Sequence, residues 1–176
     1  MAPLSDADLA ALAAELAREP RARVLIDGPS GAGKTTLAQR LRAAWPGPIQ
    51  LVSLDDVYPG WGGLAAGSDA VPGLLDGSAP GYRRWEWQRG RPGGWVALEA
   101  RLPLIVEGCG ALTPASRARA SYGIWVDADA AARRARALRR EPRFAEQWEA
   151  WAAQERAHCA AHRPWELADL RLGDPA

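Results

Sequence analysis

The sequence predicts a three-layer α/β fold, a parallel sheet with helices on both faces. Three observations carry this. Short apolar runs alternate with stretches of helical periodicity, the signature of parallel strands joined by crossover helices. A glycine-rich loop containing Gly-Lys-Thr stands between the first such run and the first such helix. The apolar runs end in polar residues or glycine, at Gly28, Asp55, Glu107 and Asp127, and in open α/β sheets ligands bind at the carboxyl edge of the strands.

Taken in order, residues 5–18 predict an amphipathic helix. Ser5 is placed to cap it, Asp8 is the acid near its start, and Leu9, Leu12 and Leu16 form one stripe. "RVLIDG" predicts a buried first strand, and residues 34–45 a helix with Leu37, Leu41 and Ala44 on one face. "IQLVSLDD" predicts a second strand, "PLIVEG" a third, "YGIWVDAD" a fourth, and "ADLRL" a fifth. Further helices are expected at 114–120, 129–140 and 143–162. In the last, Phe144, Trp148 and Trp151 have core spacing, and His158 and His162 are expected at the surface or helix end. Residues 56–94 are rich in Gly and Pro and read as a long functional loop at the ligand edge. The stretch from Asp56 to Trp95 carries four tryptophans, which argues against disorder.

Composition narrows the function classes. The chain has 176 residues, enough for one domain spanning 1–176, and its formal net charge of +1 supplies no field for nucleic acid or a membrane surface. Cys109 and Cys159 suggest neither a disulfide framework nor a zinc site. The acidic N-terminus and the lack of a long apolar run lead to the expectation of a cytoplasmic protein, monomeric or homodimeric.

Gly28-Pro-Ser-Gly-Ala-Gly-Lys-Thr matches G-x-x-x-x-G-K-[ST] at every fixed position. Glycines let backbone N–H groups turn inward and cradle phosphate at a helix N-terminus. The expected nucleotide-binding set is Gly28, Ser30, Gly31, Ala32, Gly33, Lys34, Thr35 and Thr36, and the expected cofactors are ATP and Mg²⁺. Lys34 is the chain's single lysine among 22 basic residues. A compact ammonium on a slim stem can curl over the phosphates where a broad guanidinium cannot.

Three classes of protein use such a loop. A GTPase switch carries N-K-x-D, and this chain has no asparagine and no second lysine. A motor-type ATPase is usually larger, with a D-[DE] pair ending another strand. A small-molecule kinase needs an acid after the second strand, and Asp55 and Asp56 stand there, with Glu107 one strand over. It also benefits from mobile arginines, which residues 133–143 supply. Arg133, Arg136 and Arg140 share one helical face, and Arg136 and Arg140 are the expected catalytic pair of a lid.

"GPSGAGKTTLAQRL", "LDDVYPG", "LIVEG" and the arginine-rich helix after "WVDAD" together resemble the uridine kinase and nicotinamide riboside kinase branch of P-loop kinases, over most of residues 23–143. The resemblance implies a five-stranded sheet in the order 2-3-1-4-5, with Asp55 as catalytic base. It also implies that Glu107 assists Mg²⁺ or the acceptor hydroxyl and that the arginines form a lid. Thr35, Asp55 and Glu107 are then the expected metal-facing set. The segment "YPGWGGL…YRRWEW" departs from a uridine kinase and looks more like small ATP-binding kinase-like proteins. It is expected to bind the acceptor through Asp55, Asp56, Tyr58, Tyr82, Arg83, Arg84, Trp85 and Trp87, with indole against a ring and arginine against an anionic end. The expected activity is transfer of the ATP γ-phosphoryl to a hydroxyl of a nucleoside or similar ring-bearing metabolite. The alternatives are a nucleoside monophosphate kinase and a regulatory ATPase without a small acceptor.

Overall fold

Strand β1 (Arg23–Asp27) is buried at all five residues, as its apolar run requires of a central parallel strand. In the computed structural model, which describes residues 4–173, β1 lies between β5 (Leu104–Glu107) and β6 (Tyr122–Val126). Strand β2 (Gln50–Ser53) adds outside β5, and β7 (Leu170–Leu172) outside β6, all parallel. The order is β2-β5-β1-β6-β7, which is 2-3-1-4-5 when only the strands of this sheet are counted.

The strands alternate their burial between two layers. Val24, Ile26, Ile105 and Ile124 pack against α1 (Asp6–Leu16) and α2 (Lys34–Ala44), through Leu9, Ala13, Leu37, Ala38 and Leu41. Leu25, Val52, Leu104 and Val106 face the other way, toward α3 (Leu64–Asp76) and α6 (Trp148–His162). The first helix starts as expected, with Ser5 and Asp8 forming a reciprocal capping box. The segment expected as a helix at 114–120 is shorter, α4 (Pro114–Arg117). The arginine-rich helix is α5 (Ala130–Arg140). A 3-10 turn (Pro142–Glu146) separates it from α6, and α7 (Pro164–Leu167) leads into β7.

Residues 56–94 are not a loop. They fold into α3 and most of an antiparallel hairpin, β3 (Gly81–Glu86) with β4 (Arg91–Ala97). Leu64, Val71, Leu74 and Leu75 have helical spacing and are all buried, and Gly67 and Ser68 complete the same face. Gly67, Gly73 and the internal Pro72 mask that periodicity in the sequence. Gly67 is required for packing, because a Cβ there would stand 2.4 Å from the Tyr58 ring.

Arg23 is 5% exposed. Its guanidinium is paired with carbonyls rather than a carboxylate: Nε donates to Leu75 O (2.7 Å), Nη1 to Leu102 O (2.8 Å) and Arg21 O (3.2 Å), and Nη2 to Ala100 O (2.8 Å). It thereby ties β1 to the end of α3 and to the segment entering β5. Arg23→Ala should cost about 3 kcal/mol, since four carbonyls lose their donor at once. Urea denaturation would measure this, and a loss below about 1 kcal/mol would show the carbonyls to be solvated.

Candidate active site

The glycine-rich loop runs from β1 into α2. Gly33, in the left-handed region at φ 107°, precedes the first residue of α2, and no side chain caps that terminus. The first N–H groups of α2 are therefore free to meet an anion. Gly31, at φ 77°, lets α5 approach, and a Cβ there would sit 2.1 Å from the Arg133 carbonyl. Ser30, Gly31, Gly33, Lys34, Thr35 and Thr36 line a cavity of about 220 Å³. Gly28 stands behind it against Val126, and Ala32 is packed in the core.

Lys34 is buried. Its Nζ donates to Pro29 O (3.1 Å) and to Cys109 Sγ (3.3 Å). Burial opposes its charge, while the Cys109 sulfur and then the Glu107, Glu155 and Asp27 carboxylates favour it, and the pKa lies above the usual lysine value. Burial raises the Cys109 pKa well above that of a free thiol, so the neutral S–H donates onward to Glu155 Oε1 (3.2 Å).

Glu107 closes the floor. Its register opposite Ser53 brings the Ser53 hydroxyl to Oε1 (2.7 Å), and Thr35 Oγ1 donates to the same oxygen (3.0 Å). Burial raises the Glu107 pKa, against the lowering effect of Lys34 and the two hydroxyls. Asp55 lies in a 3-10 turn (Leu54–Asp56) after β2, exposed at the cavity mouth. Arg136 and Arg140 of α5 complete the lining. The structure therefore brings all five expected catalytic residues to one cavity. Among the described residues no group of three or more His, Cys, Asp or Glu converges on a metal position. Thr35 and Glu107 offer hard oxygen donors side by side, which suits Mg²⁺, an ion held by few protein ligands besides phosphate and water.

The expected acceptor residues divide. Tyr58 is fully buried, its hydroxyl donating to Cys109 O (2.7 Å), and Tyr82 is 8% exposed; both are core residues, not cavity walls. Arg84 pairs with Asp56 (3.1 Å), and Arg83 reaches Gly93 O (3.3 Å). Trp85 and Trp87 do not share a strand face. The ladder shifts register between Arg83 and Trp85, and β3 ends at Glu86. Trp85 lies against Gly60. Trp87 donates from Nε1 to Asp55 O (2.7 Å), and its ring meets Trp61 at 4.6 Å. Trp61 also stacks on Phe144, with ring centroids 5.2 Å apart.

Three polar residues of the site escaped sequence reasoning. Asp27 accepts from the backbone N–H groups of Gly28 (2.6 Å), Gly110 (2.9 Å) and Leu112 (2.8 Å). Glu155 accepts from Ser30 N–H (2.8 Å), Trp151 Nε1–H (2.9 Å) and Cys109. His158, expected at the surface, is instead buried, with Nε2 3.4 Å from Asp27 Oδ2. The signal was available: Trp148, Trp151, Glu155 and His158 make one buried stripe of α6, and polar residues on an apolar stripe need partners. Cys109, read as a small packing residue, is buried and also touches the lysine.

No family model matches the chain, and no curated protein matches it. Solved structures do. A possible uridine kinase from Bacillus stearothermophilus superposes with a TM-score of 0.63 at 15% identity, over 94% of this chain and 98% of that one. A candidate fructose transport system kinase from Silicibacter sp. TM1040 gives 0.56 at 21% identity, over 98% and 100%. At these identities the likeness is one of fold. It bears out the three-layer α/β architecture with its five-stranded parallel sheet.

Glu155→Ala should leave three donors without an acceptor. The expected effects are a stability loss of about 3 kcal/mol and weaker binding of an ATP analogue by the folded protein, because the Ser30 N–H loses the acceptor that holds the loop. Denaturation followed by nucleotide titration below the transition would check both. Unchanged nucleotide affinity would mean that the loop keeps its shape without this carboxylate.

Proposed function

We propose that the chain is an ATP-dependent small-molecule kinase that moves the γ-phosphoryl of ATP to a hydroxyl of a ring-bearing metabolite, a nucleoside or a molecule like it. The observation that carries this reading is the gathering of Lys34, Thr35, Asp55, Glu107, Arg136 and Arg140 around one cavity at the carboxyl edge of the sheet. A site built only to bind a nucleotide has no use for an exposed acid at its mouth. A phosphoryl transfer to an alcohol does, because the attacking oxygen must shed a proton.

The roles follow from position. The N–H groups at the start of α2 hold the phosphates, and Lys34 leaves the Pro29 carbonyl and Cys109 sulfur to meet them. Thr35 and Glu107 would hold Mg²⁺, which when bound neutralises phosphate charge. Asp55 accepts the hydroxyl proton as the oxygen–phosphorus bond forms and ADP departs. Arg136 and Arg140, exposed on α5, are free to fold over the migrating phosphoryl. The acceptor approaches from the Asp55 side, where Trp61 and Trp87, each 36% exposed, present an indole wall to a ring. No helix among the described residues is long and apolar enough to cross a membrane.

The test is ATP turnover with and without a panel of nucleosides, sugars and related alcohols. One acceptor should raise turnover far above the slow hydrolysis seen alone. Turnover that no member of the panel stimulates, in a protein that binds ATP, would favour a regulatory ATPase.

Asp55→Asn should keep nucleotide affinity and lose about 10²–10⁴ in acceptor-dependent rate. Greater sensitivity at Asp56, which Arg84 neutralises, would move the base by one residue. Lys34→Arg should be nearly inactive, since a guanidinium does not fit the slot of a single ammonium.

Trp61→Ala or Trp87→Ala should weaken acceptor binding by about 1–3 kcal/mol, the scale of a ring stack, and leave ATP affinity nearly unchanged. Titration of each variant with both ligands measures it. Equal losses for the two ligands would make these tryptophans structural pins.

A further inference from the structure

Asp55 is exposed at the mouth of the phosphate cavity, and among the described residues no donor reaches its carboxylate. Its aim is therefore set by its backbone, that of the 3-10 turn Leu54–Asp56. Two sets of contacts grip this turn. The first is internal to the domain. Leu54 is fully buried, and the Tyr58 hydroxyl donates to the carbonyl of Cys109 (2.7 Å), the residue whose sulfur touches Lys34. The second set comes from the β3–β4 hairpin. Arg84 reaches the Asp56 carboxylate (3.1 Å), and Trp85 lies on Gly60 just past the turn. Trp87 donates from Nε1 to the Asp55 carbonyl (2.7 Å). Of the three hairpin contacts, only this one ends on Asp55 itself. Trp87 is partly exposed, so its indole N–H has water within reach and is not driven to a protein acceptor by burial.

We propose that Trp87 is a positioning residue for the phosphoryl transfer: its indole N–H fixes the Asp55 carbonyl and so aims the Asp55 carboxylate at the acceptor hydroxyl. This rests on the kinase reading, with Asp55 as its base. An acid that no side chain holds moves with its backbone, and a misplacement of about 1 Å can cost on the order of 10²-fold in rate. Arg84 acts on the neighbouring acid, drawing Asp56 to the hairpin, and Asp55 is the one of the two that lines the cavity. The Trp87 ring meanwhile meets Trp61 at 4.6 Å on the acceptor side. A ring settling there steadies the same indole that holds the base. Acceptor capture and base alignment then become one event, and bound ATP meets an aligned base when an alcohol is present to be attacked.

The experiment combines Trp87→Phe with Asp55→Asn. Phenylalanine keeps a ring on the acceptor wall and removes the N–H donor. Trp87→Phe should lower acceptor-dependent kcat by about tenfold or more and keep the acceptor's Kd within about threefold. In the Asp55→Asn background the same change should cost less than about twofold, because the donor acts through that carboxylate. Equal losses in both backgrounds, or an unchanged kcat, would overturn the proposal. A second readout needs no turnover: amide hydrogen exchange over residues 54–58 should quicken in Trp87→Phe, and unchanged exchange there would overturn it as well. If no alcohol stimulates the unaltered protein, the kinase reading fails and takes this role with it. Failure in the variant comparison alone removes the role of Trp87 and leaves that reading standing.

Discussion

A phosphate-binding loop must aim backbone N–H groups at open space, so its shape has to be held by something other than its own hydrogen bonds. Here two buried carboxylates do this from either side. Asp27, 1% exposed, takes three backbone N–H groups from the loop and from the turn after β5. Glu155 takes Ser30 from the side of α6. A carboxylate out of water costs several kcal/mol unless its oxygens are satisfied. Asp27 is engaged through both oxygens and Glu155 through Oε1, and each engagement fixes a segment that must not move: β1 against β5 in one case, the loop against α6 in the other.

The single lysine sits inside this arrangement. Its slot is bounded by the Pro29 carbonyl and the Cys109 sulfur, with Glu107, Glu155 and Asp27 close enough to keep it charged despite burial. A chain that otherwise carries positive charge on arginine keeps lysine where the space admits one ammonium and no planar fork. The neutral Cys109 thiol relays the contact to Glu155, so the lysine, the loop and α6 share one polar line through the core.

The aromatic residues serve two ends. Tyr58, Trp148 and Trp151 are interior, and they build the layer over which the active-site edge stands. Trp61 and Trp87 lie at its rim. Trp61 bridges the hairpin turn, through Trp87, to Phe144 beyond the arginine helix. The β3–β4 hairpin and the turn after α5 are thus joined by ring contacts, while the Asp55 carbonyl accepts a hydrogen bond from Trp87 Nε1.

The sequence by itself determined what depends on local pattern. The apolar runs of β1 and β5 read as strands, the first of them buried, because a continuous apolar run bounded by glycine suits a strand covered on both faces. The phosphate loop read as a motif because its glycines and lysine have fixed spacing, and Asp55 and Glu107 stood at strand ends where the sheet gathers ligand groups. What only the tertiary structure decided depends on distant contacts. The α3 helix was hidden by Gly67, Gly73 and Pro72, and it exists because Leu64, Val71, Leu74 and Leu75 find a core to bury in. Strand β3 ends at Glu86, so Trp85 lies against Gly60 while Trp87, in the hairpin turn, makes its own contacts with Asp55 and Trp61. Glu155 reaches Ser30 across 125 positions, and Asp27 reaches Leu112 across 85. No short-range rule sees such pairs, because burial makes a carboxylate seek donors wherever the fold brings them.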